Sequence, residues 1–168
     1  MAIHEATPIE QRILSVLVEN RPGVLSHVVG LFSARGFNIA SLAVGETEDP
    51  TMSRITLVAE ADQKIMEQIK KQLNKLIDVI KVQDLTDEGY VDRELMLVKM
   101  QNTSAFKAVL KTWMEEYHLR IMDENPKVVT IECVESRERT KQLFEKFKEI
   151  GILEIAQTGA VALSKKTL

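Results

Sequence analysis

Cysteine is almost absent from this sequence, since Cys133 is the only one among 168 residues. A single cysteine excludes a disulfide within the chain and fits a reducing compartment. Cys133 lies in VVTIECV, an alternating pattern that is typical of a strand. We therefore interpret it as a buried, inert thiol, with a reactive thiol as the less favoured alternative.

An excess of basic residues is also missing. Lysine and arginine number 22 against 25 acidic residues, which gives a formal net charge of −3, whereas nucleic-acid-binding proteins usually carry a basic excess on one face. Aromatic residues make up 5% of the chain. The stretches RILSVLVE and SRITLVAE, predicted as central strands, carry none of the rings on which RNA-binding sheets stack bases. We therefore expect no nucleic-acid partner.

Long apolar runs and clusters of reactive side chains are missing as well. No run approaches the ~18 apolar residues of a membrane-spanning helix, and the opening MAIHEATPIEQ lacks the apolar core of a signal peptide. We expect a cytoplasmic protein with no membrane partner. The histidines His4, His27 and His118 lie far apart without metal-ligand spacing. The sequence therefore predicts neither a metal site nor a catalytic constellation.

One order of elements occurs twice. In the first half the pattern predicts a strand in RILSVLVEN, a helix that ends at Gly36, strands in FNIASLAVG and SRITLVAEA, a helix capped by Asp62, and a strand in DVIKVQDL. In the second half it predicts a strand in RELMLVKM, a helix over 106–117, strands in LRIMD and KVVTIECV, a helix with Ser136 as its N-cap, and strand material in ILEIAQTGAVALS. The order βαββαβ in each half predicts an α+β fold of two ferredoxin-like domains, each with a four-stranded antiparallel sheet and two helices on one face.

This repetition sets the predicted domain boundaries. We expect an N-terminal tail over 1–11, a first domain over 12–85, a short linker over 86–92 around TDEGY, and a second domain over 93–168. A unit of this size buries only ~60–65% of its unfolded surface and is marginally stable alone. We therefore expect association with a second copy, as a homodimer.

The stretch NRPGVLS, residues 20–26, joins the first strand to the first helix. Pro22 and Gly23 suit the central positions of a type II turn, because proline fixes φ and glycine accepts a positive φ. The helix starts directly after this turn, so its first N–H groups lack intrahelical partners and favour a carboxylate or phosphate by ~0.3–1 kcal/mol. Repeated glycines of a phosphate-binding loop are absent, so a small carboxylate fits better. Asn20, and Asn38 if it reaches the same pocket, can accept from an ammonium group.

Two alternatives remain open at this point. Asn20 and Ser26 can simply satisfy the turn and the helix start. An apolar edge strand around Asn38 also invites pairing with another chain, which suggests a pocket that takes the turn from one copy and Asn38 from the other. Catalysis by Ser26 and His27 is disfavoured because adjacent helical positions point in different directions.

Three stretches closely resemble the small, regulatory subunits of acetolactate synthase (acetohydroxyacid synthase). They are RILSVLVENRPGVLSHVVGLFSARGFNIASLAVGETEDPTMSRITLV, QIKKQLNKLIDVIKVQDL and RELMLVK. The resemblance covers Arg12 to about Met100. It implies that the first domain is an ACT domain, a ferredoxin-like module that commonly binds amino acids at dimer interfaces. SARGFNIASL combined with EDPTMSRITLV is more selective for this family than an ACT match alone.

The resemblance implies a non-catalytic partner that activates the large, catalytic subunit and confers feedback inhibition by valine or a related branched-chain amino acid. Thiamine diphosphate, magnesium and FAD are then expected on the catalytic subunit, and no cofactor in this chain. A stand-alone amino-acid-binding ACT regulator of transcription or of another enzyme is the alternative. Carried over residue by residue, the effector pocket uses Asn20, Gly23, Val24, Leu25 and Ser26 of one chain and Asn38 and Ile39 of its neighbour.

Overall fold

A computed structural model describes residues 10–166. Most of the predicted tail, 1–11, and His4 within it lie outside the described residues. The first half contains the elements β1 (Glu10–Glu19), α1 (Val24–Ser33), β2 (Ile39–Glu46), β3 (Met52–Ala61), α2 (Gln63–Leu73) and β4 (Val79–Asp84). The predicted order βαββαβ is confirmed.

The four strands form one antiparallel sheet in the order β2-β3-β1-β4. Side chains alternate between the two faces of a strand, and the residues of β1 at positions 14, 16 and 18 lie buried on one face. Both helices pack on this face, since Val28 and Phe32 of α1 join Met66 and Ile69 of α2 in the same core. This is the predicted ferredoxin-like arrangement.

The connection to the second half is ordered, although the sequence predicted a linker over 86–92. A short helix, α3 (Leu85–Glu88), follows β4, and the next strand already begins at Tyr90. Asp84 caps this helix by accepting a hydrogen bond, at 3.2 Å, from the backbone N–H two residues on. Gly89, with φ of 76°, turns the chain afterwards. Four residues carry too little periodicity to predict a helix.

The second half contains β5 (Tyr90–Gln101), α4 (Ser104–Glu116), β6 (Leu119–Glu124), β7 (Val128–Glu135), α5 (Arg137–Ile150), β8 (Ile152–Gln157) and β9 (Val161–Ser164). Its antiparallel sheet has the strand order β6-β7-β5-β8, and β9 also pairs with β5. The core combines the strand residues Val98 and Ile131 with Phe106 of α4 and Phe147 of α5. The second ferredoxin-like domain is therefore confirmed.

Cys133 lies in this second core and is fully buried. Burial, followed by the nearby carboxylate of Glu135, raises the pKa of the Cys133 thiol to about 12. The thiol therefore stays protonated at neutral pH, and the prediction of an inert cysteine is confirmed. Ser136 does precede α5, but its side chain makes no capping hydrogen bond.

The chain divides into two compact units that differ slightly from the predicted domains. Tyr90 ends the main part of the first unit, Val91–Val161 forms the second, and the chain from Ala162 onward returns to the first. The backbone N–H of Lys165 donates to the carbonyl of Gly89 at 3.0 Å. Such long-range pairing of the chain end leaves no local pattern in the sequence. No helix within 10–166 is long and apolar enough to cross a membrane.

The N-cap of α2 provides a test of the fold. The Oδ1 atom of Asp62 accepts a hydrogen bond from the backbone N–H of Ile65 at 2.7 Å. Replacing Asp62 by alanine removes this acceptor, so we expect the free energy of unfolding to fall by about 1 kcal/mol in urea titrations. Asp62→Asn is the matched control, because asparagine caps almost as well as aspartate. Equal losses in both variants would show that the charge, rather than the cap, stabilises the helix.

Candidate functional site

The turn before α1 has the predicted geometry. Gly23 adopts φ of 90° and ψ of −19°, and the backbone N–H of Val24 donates to the carbonyl of Arg21 at 3.4 Å. These angles match the second central position of a type II turn. A Cβ atom added to Gly23 meets no heavy atom within 4 Å. Glycine is therefore favoured here by the backbone conformation and not by lack of space.

The start of α1 is open. Gly23 is its N-cap residue and provides no side-chain acceptor. Among residues 10–166, no group accepts a hydrogen bond from the N–H of Gly23, Leu25 or Ser26. Three donors at the positive end of a helix form a favourable place for a small carboxylate. Leu25 is 41% exposed beside them, whereas Val24 is buried and belongs to the core.

Asn20 connects this turn to the end of the sheet by hydrogen bonds. Its N–H donates to the carbonyl of Thr51 at 2.7 Å, and its Nδ2 atom donates to Oε1 of Glu46 at 3.0 Å and to the carbonyl of Pro50 at 2.9 Å. The structural role considered for Asn20 is thus present. Its Oδ1 atom has no partner among the described residues, so Asn20 keeps one acceptor for a ligand.

Sequence reasoning missed the partners of Asn20. Glu46 and Pro50 follow it by 26 and 30 positions, and neither belongs to a local motif. Antiparallel pairing of β1, β3 and β2 brings them to the same end of the sheet. The only signal in the sequence was the predicted ferredoxin-like fold, in whose sheet the ends of β1 and β2 lie together.

Asn38 and Ile39 lie at the opposite end of the same sheet. Ile39 pairs with Ala59 of β3, whereas the last residue of β1 pairs with Met52. Met52 and Ala59 are seven positions apart along β3, which corresponds to roughly 23 Å. Within one chain the turn and Asn38 therefore cannot contact the same small molecule. Asn38 is exposed, and its side chain has no hydrogen-bond partner among the described residues.

The strand β2 lies at the edge of the first sheet, where it pairs only with β3 among the described strands. Its far edge carries backbone donors and acceptors that a second chain can pair with. Val44, at the centre of this strand, is 47% exposed. The first unit thus presents an apolar strand edge that connects Asn38 at one end with the Asn20 turn at the other.

The chemical groups of a catalyst are not brought together here. The Nδ1 atom of His27 lies 3.2 Å from the carboxylate of Asp78, and the side chain of Ser26 forms no hydrogen bond within 10–166. The guanidinium of Arg35 donates to Gln72 and that of Arg54 donates to Ser15. Among the described residues, no group of three or more acidic, histidine or cysteine side chains can hold a metal ion. The open N–H groups at the start of α1 are suited to binding a small anion.

Comparison with known proteins decides the family. The family described as AHAS small subunit-like ACT domain matches residues 14–81, and the family described as small subunit of acetolactate synthase matches residues 93–166. The acetolactate synthase isozyme 3 small subunit of Escherichia coli is 42% identical over 156 residues, which span 92% of this chain and 96% of that protein. This chain belongs to the acetolactate synthase small-subunit family.

Other members of the small-subunit family agree with this assignment. The acetolactate synthase small subunit of Mycobacterium bovis is 45% identical over 152 residues, which span 90% of each chain. The crystal structure of the Thermotoga maritima small subunit superposes with a TM-score of 0.83 at 35% identity and covers 95% of this chain and all of that one. The resemblance seen in the sequence is thereby confirmed, together with the ferredoxin-like fold and the ACT domain.

Proposed function

We propose that this chain is the non-catalytic regulatory subunit of an acetolactate synthase. It binds and activates a thiamine-diphosphate-dependent catalytic subunit in the cytoplasm, and valine or a related branched-chain amino acid reverses that activation. Thiamine diphosphate, magnesium and FAD belong to the catalytic subunit in this proposal. The observation that carries it is the match to small subunits over 90% or more of the chain. The open start of α1 supplies the chemistry for an amino-acid effector.

The effector fits the turn by its carboxylate. We place that carboxylate at the unpartnered N–H groups of Gly23, Leu25 and Ser26, where the dipole of α1 also favours negative charge. The free Oδ1 atom of Asn20 can accept from the ammonium group. Leu25 offers an exposed apolar surface for a branched side chain. This assignment uses Asn20, Gly23, Leu25 and Ser26 of the predicted residues, whereas Val24 donates its N–H to Arg21 and packs in the core.

The other wall of the pocket comes from a second copy. If two β2 strands pair antiparallel at their free edges, the start of one lies beside the end of the other. The end of β2 carries Glu46, which holds Asn20. Asn38 and Ile39 of the neighbouring chain then reach the turn that they cannot reach within their own chain. The homodimer is therefore part of the site as well as a source of stability.

A site shared by two chains couples effector binding to the arrangement of the dimer. Valine shifts the assembly only if it binds one arrangement more tightly than the other. Couplings of ~1–3 kcal/mol, or about 5- to 150-fold in affinity, are typical of such linkage. The catalytic subunit then responds to the arrangement of the small subunit and does not need to contact valine.

The first test is acetolactate formation by the cognate catalytic subunit, titrated with this chain. We expect activity to rise to a plateau at stoichiometric small subunit and to fall when valine is added, because both effects act through one complex. The catalytic subunit alone, with valine, is the control. No activation by the folded chain would contradict the proposal and would favour a stand-alone amino-acid-binding regulator.

The second test uses Gly23, where a side chain has space but carries backbone strain. Gly23→Asp places a carboxylate where the effector carboxylate is proposed to bind, so we expect the valine concentration for half-inhibition to rise at least about tenfold. Gly23→Asn is the matched control, because asparagine has the same shape and also tolerates a positive φ. Equal inhibition of both variants would contradict a carboxylate site at this turn.

The third test asks whether the pocket is shared. Gly23→Asp and Asn38→Ala chains should each lose valine sensitivity as pure proteins. In a mixed dimer one of the two pockets receives both substitutions and the other receives none, so co-refolding the two variants restores about a quarter of all pockets. We expect partial recovery of inhibition in the mixture. A pocket formed within one chain would show no recovery.

A further inference from the structure

The second unit repeats the asparagine arrangement of the first. The backbone N–H of Asn102 donates to the carbonyl of Lys127 at 2.9 Å. Its Nδ2 atom donates to Oε1 of Glu124 at 3.1 Å and to the carbonyl of Asn125 at 2.6 Å. Asn20 likewise donates its backbone N–H to a backbone carbonyl and its Nδ2 atom to a glutamate Oε1 atom and a second backbone carbonyl. In both units the asparagine directly follows the central strand, at the sheet end where the first helix begins.

A cavity of about 260 Å³ lies beside Asn102. It is bounded by α4, β6 and β7, and all of its lining residues belong to the second unit. Its polar lining residues are Asn102, Lys107, Lys111 and Glu124. Among its apolar lining residues, Met114 and Ile121 are 42% and 41% exposed.

The positive charge of this cavity has a different origin from that at the first turn. The helix α4 is capped, because Oγ1 of Thr103 accepts from the N–H of Phe106 at 3.1 Å. Two lysines on the first turns of the helix supply the charge instead. Lys107 is paired with Glu124 at 2.7 Å. The side chain of Lys111 forms no ion pair or hydrogen bond within 10–166, so its ammonium group has no partner there.

Glu124 also brings an acceptor to the cavity lining. The Oε1 atom of Glu124 receives hydrogen bonds from Lys107 and Asn102, whereas its Oε2 atom has no partner among the described residues. The hydrogen bond from Lys107, followed by that from Asn102, lowers the pKa of Glu124, so this carboxylate is ionised at neutral pH. The Oδ1 atom of Asn102 is buried without a hydrogen-bond partner. The side chain of Glu124 is 40% exposed, so its free Oε2 atom is the acceptor that a donor on a ligand can reach.

We propose that this cavity binds the zwitterion of an α-amino acid with an aliphatic side chain. Lys111 binds the carboxylate, the free Oε2 atom of Glu124 accepts from the ammonium group, and the side chain packs against Met114 and Ile121. Each of the three parts of the ligand thus meets an unsatisfied partner of the matching kind. This site is separate from the turn at Gly23 and does not require the function proposed for that turn.

The test is calorimetric titration of L-leucine into the full-length Gly23→Asp chain, in which a carboxylate occupies the first site. We expect saturable binding with a Kd in the millimolar range or below. Adding Lys111→Gln should weaken it about tenfold or more, because a charge-assisted hydrogen bond to the carboxylate is lost. Lys141→Gln is the matched control, since Lys141 is an exposed lysine on α5 outside the cavity lining. We expect it to leave the affinity unchanged.

The ligand class is tested with 4-methyl-2-oxopentanoate, which keeps the side chain and carboxylate of leucine but lacks the ammonium group. We expect it to bind at least about tenfold more weakly than leucine. Equal affinity would overturn recognition of an amino acid. Absence of saturable leucine binding, or equal effects of Lys111→Gln and Lys141→Gln, would overturn the site itself.

Discussion

The antiparallel pairing of β1 with β3 is the constraint on which the first unit depends. Ten residues of each strand pair without a shift, from Glu10 opposite Ala61 to Glu19 opposite Met52. A slip of one residue would turn every apolar side chain of these strands to the other face. Because the register is fixed, the core face is fixed, and so are the two ends of the sheet. The Asn20 turn and Asn38 lie at opposite ends for this reason.

Features specified by neighbouring residues were predictable from the sequence. The left-handed Gly23 follows from a proline and a glycine in one turn, and the cap at Asp62 follows from its place before an apolar stripe. The order of strands and helices follows from their periodicities. Each of these signals lies within a few residues, so no knowledge of the tertiary structure was needed.

Features that join distant residues were not predictable in this way. Asn20 binds partners 26 and 30 positions away, and Asn102 repeats the arrangement in a sequence that shares little identity with the first half. The return of the chain after Ala162 and the helix α3 also escaped prediction. A hydrogen bond between chain segments is specified by the fold, whereas the sequence records only that a polar residue is present. Part of the candidate site therefore became visible only with the structure.

The two units show how one scaffold can support different surface chemistry. Both hold an asparagine at the end of the central strand by the same three kinds of hydrogen bond. The first helix then begins at an uncapped glycine and leaves N–H groups open, whereas α4 is capped by Thr103 and carries lysines. The shared part is the framework of the sheet end, and the positive charge beside it is supplied separately in each unit.

The burial of Cys133 has a practical consequence for measuring motion in this protein. With a pKa raised to about 12, only on the order of one thiol in 10⁵ is ionised at neutral pH. We therefore expect a cysteine introduced on the surface to react much faster than Cys133. A spin label or fluorophore can thus be attached mainly at a chosen surface position, and changes around it can be followed when small molecules are added.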